Sequence, residues 1–122
     1  MRKVNTAIFV LLTAAALAIA HHGLAAFDQT KKITLTGTVT DFHFVNPHCV
    51  VEFDVKNDKG QIEKWQGQMT SPAHLKGWTA TSLEEGNVVT VTGYRAKSGA
   101  TYMWITQLKS SNGTELKSFS GD

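Results

Sequence analysis

Two adjacent histidines, His21 and His22, are the first candidates for chemistry, and they directly follow the segment Ala18-Ile19-Ala20. Small residues at positions 18 and 20 are those that signal peptidase recognises, so residues 1–20 are predicted to be a secretory signal peptide. Cleavage after Ala20 gives His21 a free α-amine, and this one residue can then offer a metal both its amine and a ring nitrogen. The alternative is that cleavage simply falls beside an unstructured histidine pair.

His48 is the next candidate, because Asn46-Pro47 precedes it and proline restricts the turn that presents it. Together with the amine and ring of His21, it would supply three nitrogen donors in a T-shaped set. Such a set, a histidine brace, suits copper. His22 or His43 is the alternative source of the third ring. The predicted metal ligands are therefore His21, His22 and His48, with His43 as a further candidate, and copper is the predicted cofactor.

Cys49 and Met103 carry softer donor atoms that would favour Cu(I), but both are better explained as residues of the hydrophobic core than as metal ligands. Alternation along residues 49–55 places Cys49 on the same face as apolar residues, which predicts a buried thiol. Because Cys49 is the only cysteine, the chain forms no intramolecular disulfide and no thiolate cluster for zinc.

Catalytic machinery is not indicated by the remaining polar residues. The carboxylates of the first three predicted strands and their flanks are spaced as solvent-facing groups: Asp28, Asp41, Glu52, Asp54 and Glu63. Although His48 precedes Cys49, neighbours in a strand point to opposite faces, so His48 is not placed to act as the base for a Cys49 nucleophile. We therefore expect a protein that is not an enzyme.

Charge also restricts the class of partner. The whole chain has 12 basic and 10 acidic residues, a formal net charge of +2, and Arg2 and Lys3 lie in the predicted signal peptide. The mature chain is therefore neutral before its histidines are counted, which does not favour nucleic acid or an anionic membrane surface. The apolar run of the signal is too short to favour a stable membrane anchor. We expect a periplasmic or secreted protein whose partner is a transition metal ion or a periplasmic protein.

Alternating apolar residues predict strands over residues 33–42, 48–56, 61–69, 88–94 and 101–108. Ser71-Pro72 predicts one short helix over 71–77, with Ser71 as its N-cap. Gly37 predicts a bulge or bend where the register of the first strand changes. Three strands, a short helix and two strands are the order of an OB-like five-stranded barrel in an all-β protein. The alternative is a small open β-sandwich.

The mature chain, 21–122, is predicted to be a single barrel domain with 21–31 as an N-terminal arm. Residues 110–122 are expected to form a loose tail, or alternatively to add an edge strand. The residues expected mainly inside the barrel are Ile33, Leu35, Val39, Val51, Phe53, Val89 and Val91.

Short motifs extend over nearly the whole mature chain: Ala20-His21-His22-Gly23, Phe27-Asp28, Thr36-Gly37-Thr38-Val39, Val45-Asn46-Pro47-His48, Ser71-Pro72 with Gly77-Trp78, and Val89-Thr90-Val91-Thr92-Gly93-Tyr94. This combination resembles a family of small exported bacterial proteins of unknown function that typically begin Ala-His-His-Ser-Phe and carry Asn-Pro-His. Here Gly23-Leu24 stands where the family usually has Ser-Phe. The resemblance implies a periplasmic, barrel-like protein, brings no established activity, and places His21, His22 and His48 at matching motif positions.

Two functions follow from the sequence as hypotheses. The first is a small periplasmic metal-binding protein that carries or stores copper through its histidines. The alternative is a metal-free ligand- or protein-binding module of the periplasm, which would use a groove near Trp65, Trp78 and Trp104.

Overall fold

The computed structural model describes residues 23–118, which form an all-β structure around one closed barrel. The strands in chain order are β1 (Ile33–His43), β2 (Val50–Lys56), β3 (Ile62–Gln68), β4 (Val88–Arg95), β5 (Tyr102–Ser110) and β6 (Glu115–Leu116). The ends of β1 to β5 lie within two residues of the ends expected from the alternation.

Strand pairing explains why the sheet closes. The first half of β1 pairs antiparallel with β4, and its second half pairs antiparallel with β2. β2 pairs with β3 and β4 pairs with β5, also antiparallel. The parallel pairing of β3 with β5 joins the two ends of this sheet, so the order around the barrel is β1-β2-β3-β5-β4. The predicted OB-like five-stranded barrel is therefore confirmed, and the open sandwich is not formed.

The core lies inside the barrel and follows the predicted alternation. Val39, Val51, Phe53, Val89 and Val91 are at most 1% exposed, as expected. The other two residues of the expected core, Ile33 and Leu35, are partly buried and pack against the same cluster.

The register change in β1 lies three residues beyond the predicted position. A Cβ on Gly37 would lie 2.5 Å from the backbone oxygen of Asp54, so glycine is needed there for the close approach of β2. Pairing with β2 nevertheless continues in phase through Val39 and shifts only before Asp41. The prediction that the register changes at Gly37 is therefore wrong. Strand contact requires the glycine, and the bulge itself is at Thr40.

The short helix is a single 3₁₀ turn, Pro72–His74, rather than a full α-helix over 71–77. Ser71 has the N-cap position but makes no capping hydrogen bond. Its hydroxyl instead lies 3.1 Å from Nδ1 of His74. Within residues 23–118, no helix is long and apolar enough to cross a membrane.

The described part of the C-terminal segment takes the alternative conformation, an edge strand. β6 pairs with Leu108 and Lys109 of β5, so the expectation of a loose tail is wrong for this part. Ser110, the first residue of the expected tail, ends β5 and is 4% exposed.

Candidate metal centre

His48 lies in the loop between β1 and β2 and is half-buried against the outer wall of the barrel. Its ring meets the ring of Trp104 edge-on, with centroids 5.2 Å apart. Nδ1 of His48 accepts a hydrogen bond from Nε2 of Gln68, and the hydroxyl of Tyr102 donates to Oε1 of the same Gln68. One nitrogen of His48 is therefore held by the barrel wall.

Trp104 forms the part of the outer barrel surface against which His48 packs. An extra residue in β5, Thr106, shifts the pairing with β4 next to Gly93. Alternation before this bulge points Met103 and Ile105 inward and Trp104 outward. Trp104 is nevertheless only 2% exposed, because Phe27 and His48 cover it. Its indole N–H has no hydrogen-bond partner in the described part of the chain.

The N-terminal arm is fixed over the same wall. Residues Gly23–Ala26 form a 3₁₀ turn, and Phe27 forms an antiparallel bridge with Ala96. Backbone hydrogen bonds on both sides of this bridge, from Asp28 N to Arg95 O and from Lys97 N to Ala26 O, hold the arm to the β4–β5 hairpin. The ring of Phe27, which is 2% exposed, packs on the rings of Tyr102 and Trp104. The described arm is therefore docked on the barrel.

A cavity of about 350 Å³ lies between the arm and the loop that carries His48. Its lining combines the arm, the loop and the barrel wall: Gly23, Ala26, Phe27, Pro47, His48, Gln68 and Tyr102. His21 and His22 lie outside the described residues. Gly23, which directly follows them in the chain, lines the same cavity as His48.

His43, the further candidate ligand, belongs to a different group of side chains. Its Nε2 lies 3.0 Å from a carboxylate oxygen of Glu52 and 3.4 Å from one of Asp41. One potential ligand atom from each of the three residues lies within 4.8 Å of the others. His43 and Gln68 are both paired with Val50 of β2, so two strand spacings, about 10 Å, separate their backbones. In the structure, His43 thus lies beside the carboxylates of Asp41 and Glu52, whereas His48 lines the cavity.

The carboxylate partners of His43 were not predicted from the sequence. The bulge at Thr40 turns Asp41 to the outer face, where it pairs with Glu52 across the β1–β2 ladder. In a regular strand, Asp41 and His43 would both lie on the inner face with Val39, away from Glu52, and the alternation does not locate an extra residue at Thr40. Phe42 and Phe44, which are out of phase with Val39, were the signal for a register change, but that change was assigned to Gly37.

We expect Glu52→Gln to lower the pKa of His43 more than Asp41→Asn does. The hydrogen bond that the His43 ring donates to Glu52 is the main cause that raises the pKa of His43, burial lowers this pKa, and the charges of Asp41 and Glu52 raise it further. Because the pKa is raised on folding, this interaction stabilises the protein at low pH and is lost as the pH rises through the folded-state value. NMR titration of the His43 ring in both variants measures the shifts. Glu63→Gln is the control, and an equal shift in all three variants would contradict the assignment.

The two softer donors lie in the central core and do not line the cavity. Cys49 and Met103 are both 0% exposed. Burial raises the pKa of the Cys49 thiol, so the thiolate that a metal requires is disfavoured. The predicted core position of Cys49 is confirmed, and His48 supplies the one imidazole of the described cavity lining.

The three tryptophans do not form the groove that was expected near them. Trp65 is buried in the core with the guanidinium of Arg95 over its ring, at 4.9 Å. Trp78 packs on Phe42, whereas Trp104 packs under the arm. The aromatic wall that does line a cavity uses Phe27 and Tyr102 instead, because the arm covers the outward face of β5.

The fold and this site define an OB-like barrel with a histidine-containing cavity under its N-terminal arm. The chain belongs to the family of unknown function DUF6152, whose model matches residues 9–104. A search of curated proteins finds no match.

Solved structures share the fold at low sequence identity. A ZRD-deleted mutant of TiaS in complex with agmatine has 19% identity and a TM-score of 0.50 over 67% of this chain and 21% of its own. A complex of TiaS with a tRNA and ATP has 19% identity and a TM-score of 0.51 over 68% of this chain and 18% of its own. The chain thus spans about a fifth of TiaS. The mitochondrial single-stranded DNA binding protein Rim1 from S. cerevisiae has 12% identity and a TM-score of 0.50, over 66% of this chain and 93% of its own.

Proposed function

We propose that this protein is a small periplasmic copper-binding protein whose ligands are His21, His22 and His48. The observation that carries the proposal is the cavity, which Gly23 and His48 line together. Gly23 directly follows His21 and His22 in the chain, so the part of the structure nearest to them in sequence is the wall of the cavity that holds His48. The mature N-terminus and the loop histidine would then share one site.

The donor set favours copper over other divalent metals. An N-terminal His21 offers its amine and a ring nitrogen, and His48 with His22 offers further imidazoles, so all donors are nitrogen. The Asp41–His43–Glu52 cluster has two carboxylates and one imidazole, a set that suits harder cations better. We therefore place copper at the cavity and keep His43 outside its primary ligand set.

Carriage or storage is the role that fits this site. All donors would come from the protein, and no nucleophile with a matched base lines the cavity in the described part of the chain. We accordingly propose a protein that is not an enzyme. Export to the periplasm rests on the signal-peptide pattern of residues 1–20, which lie outside the described residues.

Nucleic acid is not part of the proposal, although tRNA and single-stranded DNA appear in the descriptions of the similar structures. On the outer face of β1 and β2 the chain carries Asp41, Glu52 and Asp54, which would repel phosphates. The alternative function is a metal-free binding module that uses the same cavity, because Phe27 and Tyr102 give it an aromatic wall for a small ligand.

We expect one extra alanine before His21 to weaken Cu(II) binding by roughly a hundredfold. Structural zinc sites with four ligands have apparent binding free energies of roughly 10–16 kcal/mol, or about 3 kcal/mol per donor. Losing the amine donor therefore corresponds to about two orders of magnitude in Kd. Competitive titration with a copper chelator measures the affinities.

The control for this experiment is the mature chain with one alanine added after Asp122, which should bind as the mature chain does. If the chain extended before His21 binds Cu(II) as tightly as the mature chain, the amine is not a ligand. A site formed by histidine rings alone would then replace the proposed brace.

A further inference from the structure

Two carboxylates lie directly opposite each other on the outer face of the barrel. Asp41 of β1 pairs with Glu52 of β2 across the antiparallel ladder, because the bulge at Thr40 turns Asp41 outward. Like charges in directly opposite positions destabilise a sheet. Among residues 23–118, the ion pairs of both carboxylates are with one group, the ring of His43. When this ring is neutral, the two negative charges face each other uncompensated.

Both carboxylates converge on the same ring nitrogen. Nε2 of His43 lies 3.0 Å from an oxygen of Glu52, to which it is hydrogen-bonded, and 3.4 Å from Oδ2 of Asp41. A single N–H points to one acceptor, so the ring serves Glu52 and leaves Asp41 without a donor at Oδ2. A group at this point that binds both carboxylates and the nitrogen at once would satisfy the cluster better than one proton does.

The distances in the cluster are close to those between neighbouring ligands of a metal ion. Nitrogen and oxygen ligands bind zinc at about 2.0–2.2 Å, so neighbouring ligands of a tetrahedral site are roughly 3.3–3.6 Å apart. Potential ligand atoms of Asp41, His43 and Glu52 all lie within 4.8 Å of one another. Because both carboxylates are partly exposed, they can rotate through the remaining distance.

The backbone holds Asp41 in position for this role. Its Oδ1 accepts a hydrogen bond from the N–H of Phe42 at 2.9 Å, whereas its Oδ2 is the oxygen near His43. Phe42 packs on Trp78 and against the core cluster, so the strand segment that carries Asp41 and His43 is anchored to the barrel. Supporting contacts of this kind orient the ligands of metal ions in proteins.

We propose that Asp41, His43 and Glu52 form a second metal site, which binds a divalent transition ion of the zinc type through one imidazole nitrogen and two carboxylate oxygens. The ion takes the place of the proton on Nε2 of His43, which leaves to solvent, and it neutralises both carboxylates. Imidazole and carboxylate are ordinary zinc ligands, whereas calcium and magnesium are bound through oxygen atoms. The site is separate from the proposed copper site and does not depend on it.

The cluster also has space for the remaining ligands of such an ion. Glu52 lines a cavity of about 360 Å³ on the outer face of β1, β2 and β3. The other polar residues of its lining are Thr40, Asp54, Lys64, Gln66 and Thr101. Three protein ligands leave at least one coordination position for water, so the proposed site is an open one that exchanges its ion with solvent.

Zinc titration of the copper-free mature protein tests the proposal, followed by ¹H–¹⁵N NMR spectra of the histidine rings at a pH where His43 is neutral. We expect added Zn²⁺ to shift the Nε2 signal of His43 along a saturable curve, which gives the Kd of this site. His48→Ala should leave that curve unchanged, because the cavity under the N-terminal arm contributes no ligand to the cluster.

Three substitutions of similar size separate coordination from general attraction. Asp41→Asn and Glu52→Gln each remove one charged ligand and should weaken zinc binding at His43 by roughly ten- to a hundredfold. Asp54→Asn is the matched control, because Asp54 is two residues from Glu52 on β2 and pairs with Lys64. It removes the same charge but no ligand, so the Kd should change by less than about threefold. The dispersion of backbone amide signals checks that each variant is folded.

The outcomes separate this inference from the proposed function. If zinc leaves the His43 signals unchanged, whatever its effect on His48, the inference is overturned. Equal weakening by Asp54→Asn and by the two ligand substitutions also overturns it, because zinc would then be attracted by the charge of the face rather than bound by Asp41 and Glu52. If zinc binds at His43 as expected while copper leaves the His48 signals unchanged, the second site is supported and the proposed copper site is the part that fails.

Discussion

Val91→Asp is expected to destabilise the protein by roughly 3–5 kcal/mol, a large part of the stability of a small domain. Val91 is 0% exposed at the centre of β4 and belongs to the central cluster. Its cross-strand neighbours are Leu35 and Leu108, so a carboxylate at this position would be buried with no cationic partner among them. Urea unfolding followed by tryptophan fluorescence measures the change.

Thr90→Asp is the matched control, because Thr90 is the preceding residue of the same strand and points to solvent. Its neighbour on β5 is Lys109, which would face the new charge favourably. We expect a change of less than about 1 kcal/mol for this variant. Equal effects of the two substitutions would mean that β4 does not have the inward and outward faces described for it.

His48→Ala is expected to weaken copper binding by roughly a hundredfold, the effect of losing one nitrogen donor from the site. The side chain is held by Gln68 and Trp104, so its position is defined before a metal arrives. Because the ring is already held in position, its removal should lose the whole contribution of one nitrogen donor to the free energy of copper binding. Isothermal titration of the mature protein with Cu(II) in the presence of a competing chelator gives the affinities.

His43→Ala is the matched control for His48→Ala, since both remove one imidazole from the β1–β2 hairpin region. His43 contacts the carboxylates of Asp41 and Glu52 rather than the cavity, so its loss should change the primary affinity little. If His43→Ala weakens binding and His48→Ala does not, the metal binds at the carboxylate cluster, and the cavity is not the copper site.

The strands could be predicted because apolar residues alternate strongly and turn residues separate them. Asn57 and Gly60 illustrate this, since Oδ1 of Asn57 accepts hydrogen bonds from two backbone amides and Gly60 has a positive φ of 77°. Closure of the barrel was inferred from the order of elements. The parallel pairing of β3 with β5 that closes it joins residues more than 30 positions apart, which no local pattern reveals.

The candidate site could be predicted only in part. Proline before His48 indicated that this side chain is presented by a turn, and the structure places it at a cavity. The partners Gln68 and Tyr102 were missed because β3 and β5 meet only through the closure of the barrel. The Asp41–Glu52 pair was missed for a different reason, because a single extra residue at Thr40 decides on which face Asp41 lies.

The most direct test of the copper site is the native mass of the protein recovered from the periplasm of an expressing bacterium supplied with copper. We expect a chain that begins at His21 and carries one copper ion, and the same chain without copper when His48 is replaced by alanine. A mature chain that begins at another residue, or a copper ion retained in the His48→Ala protein at the same occupancy, would contradict it.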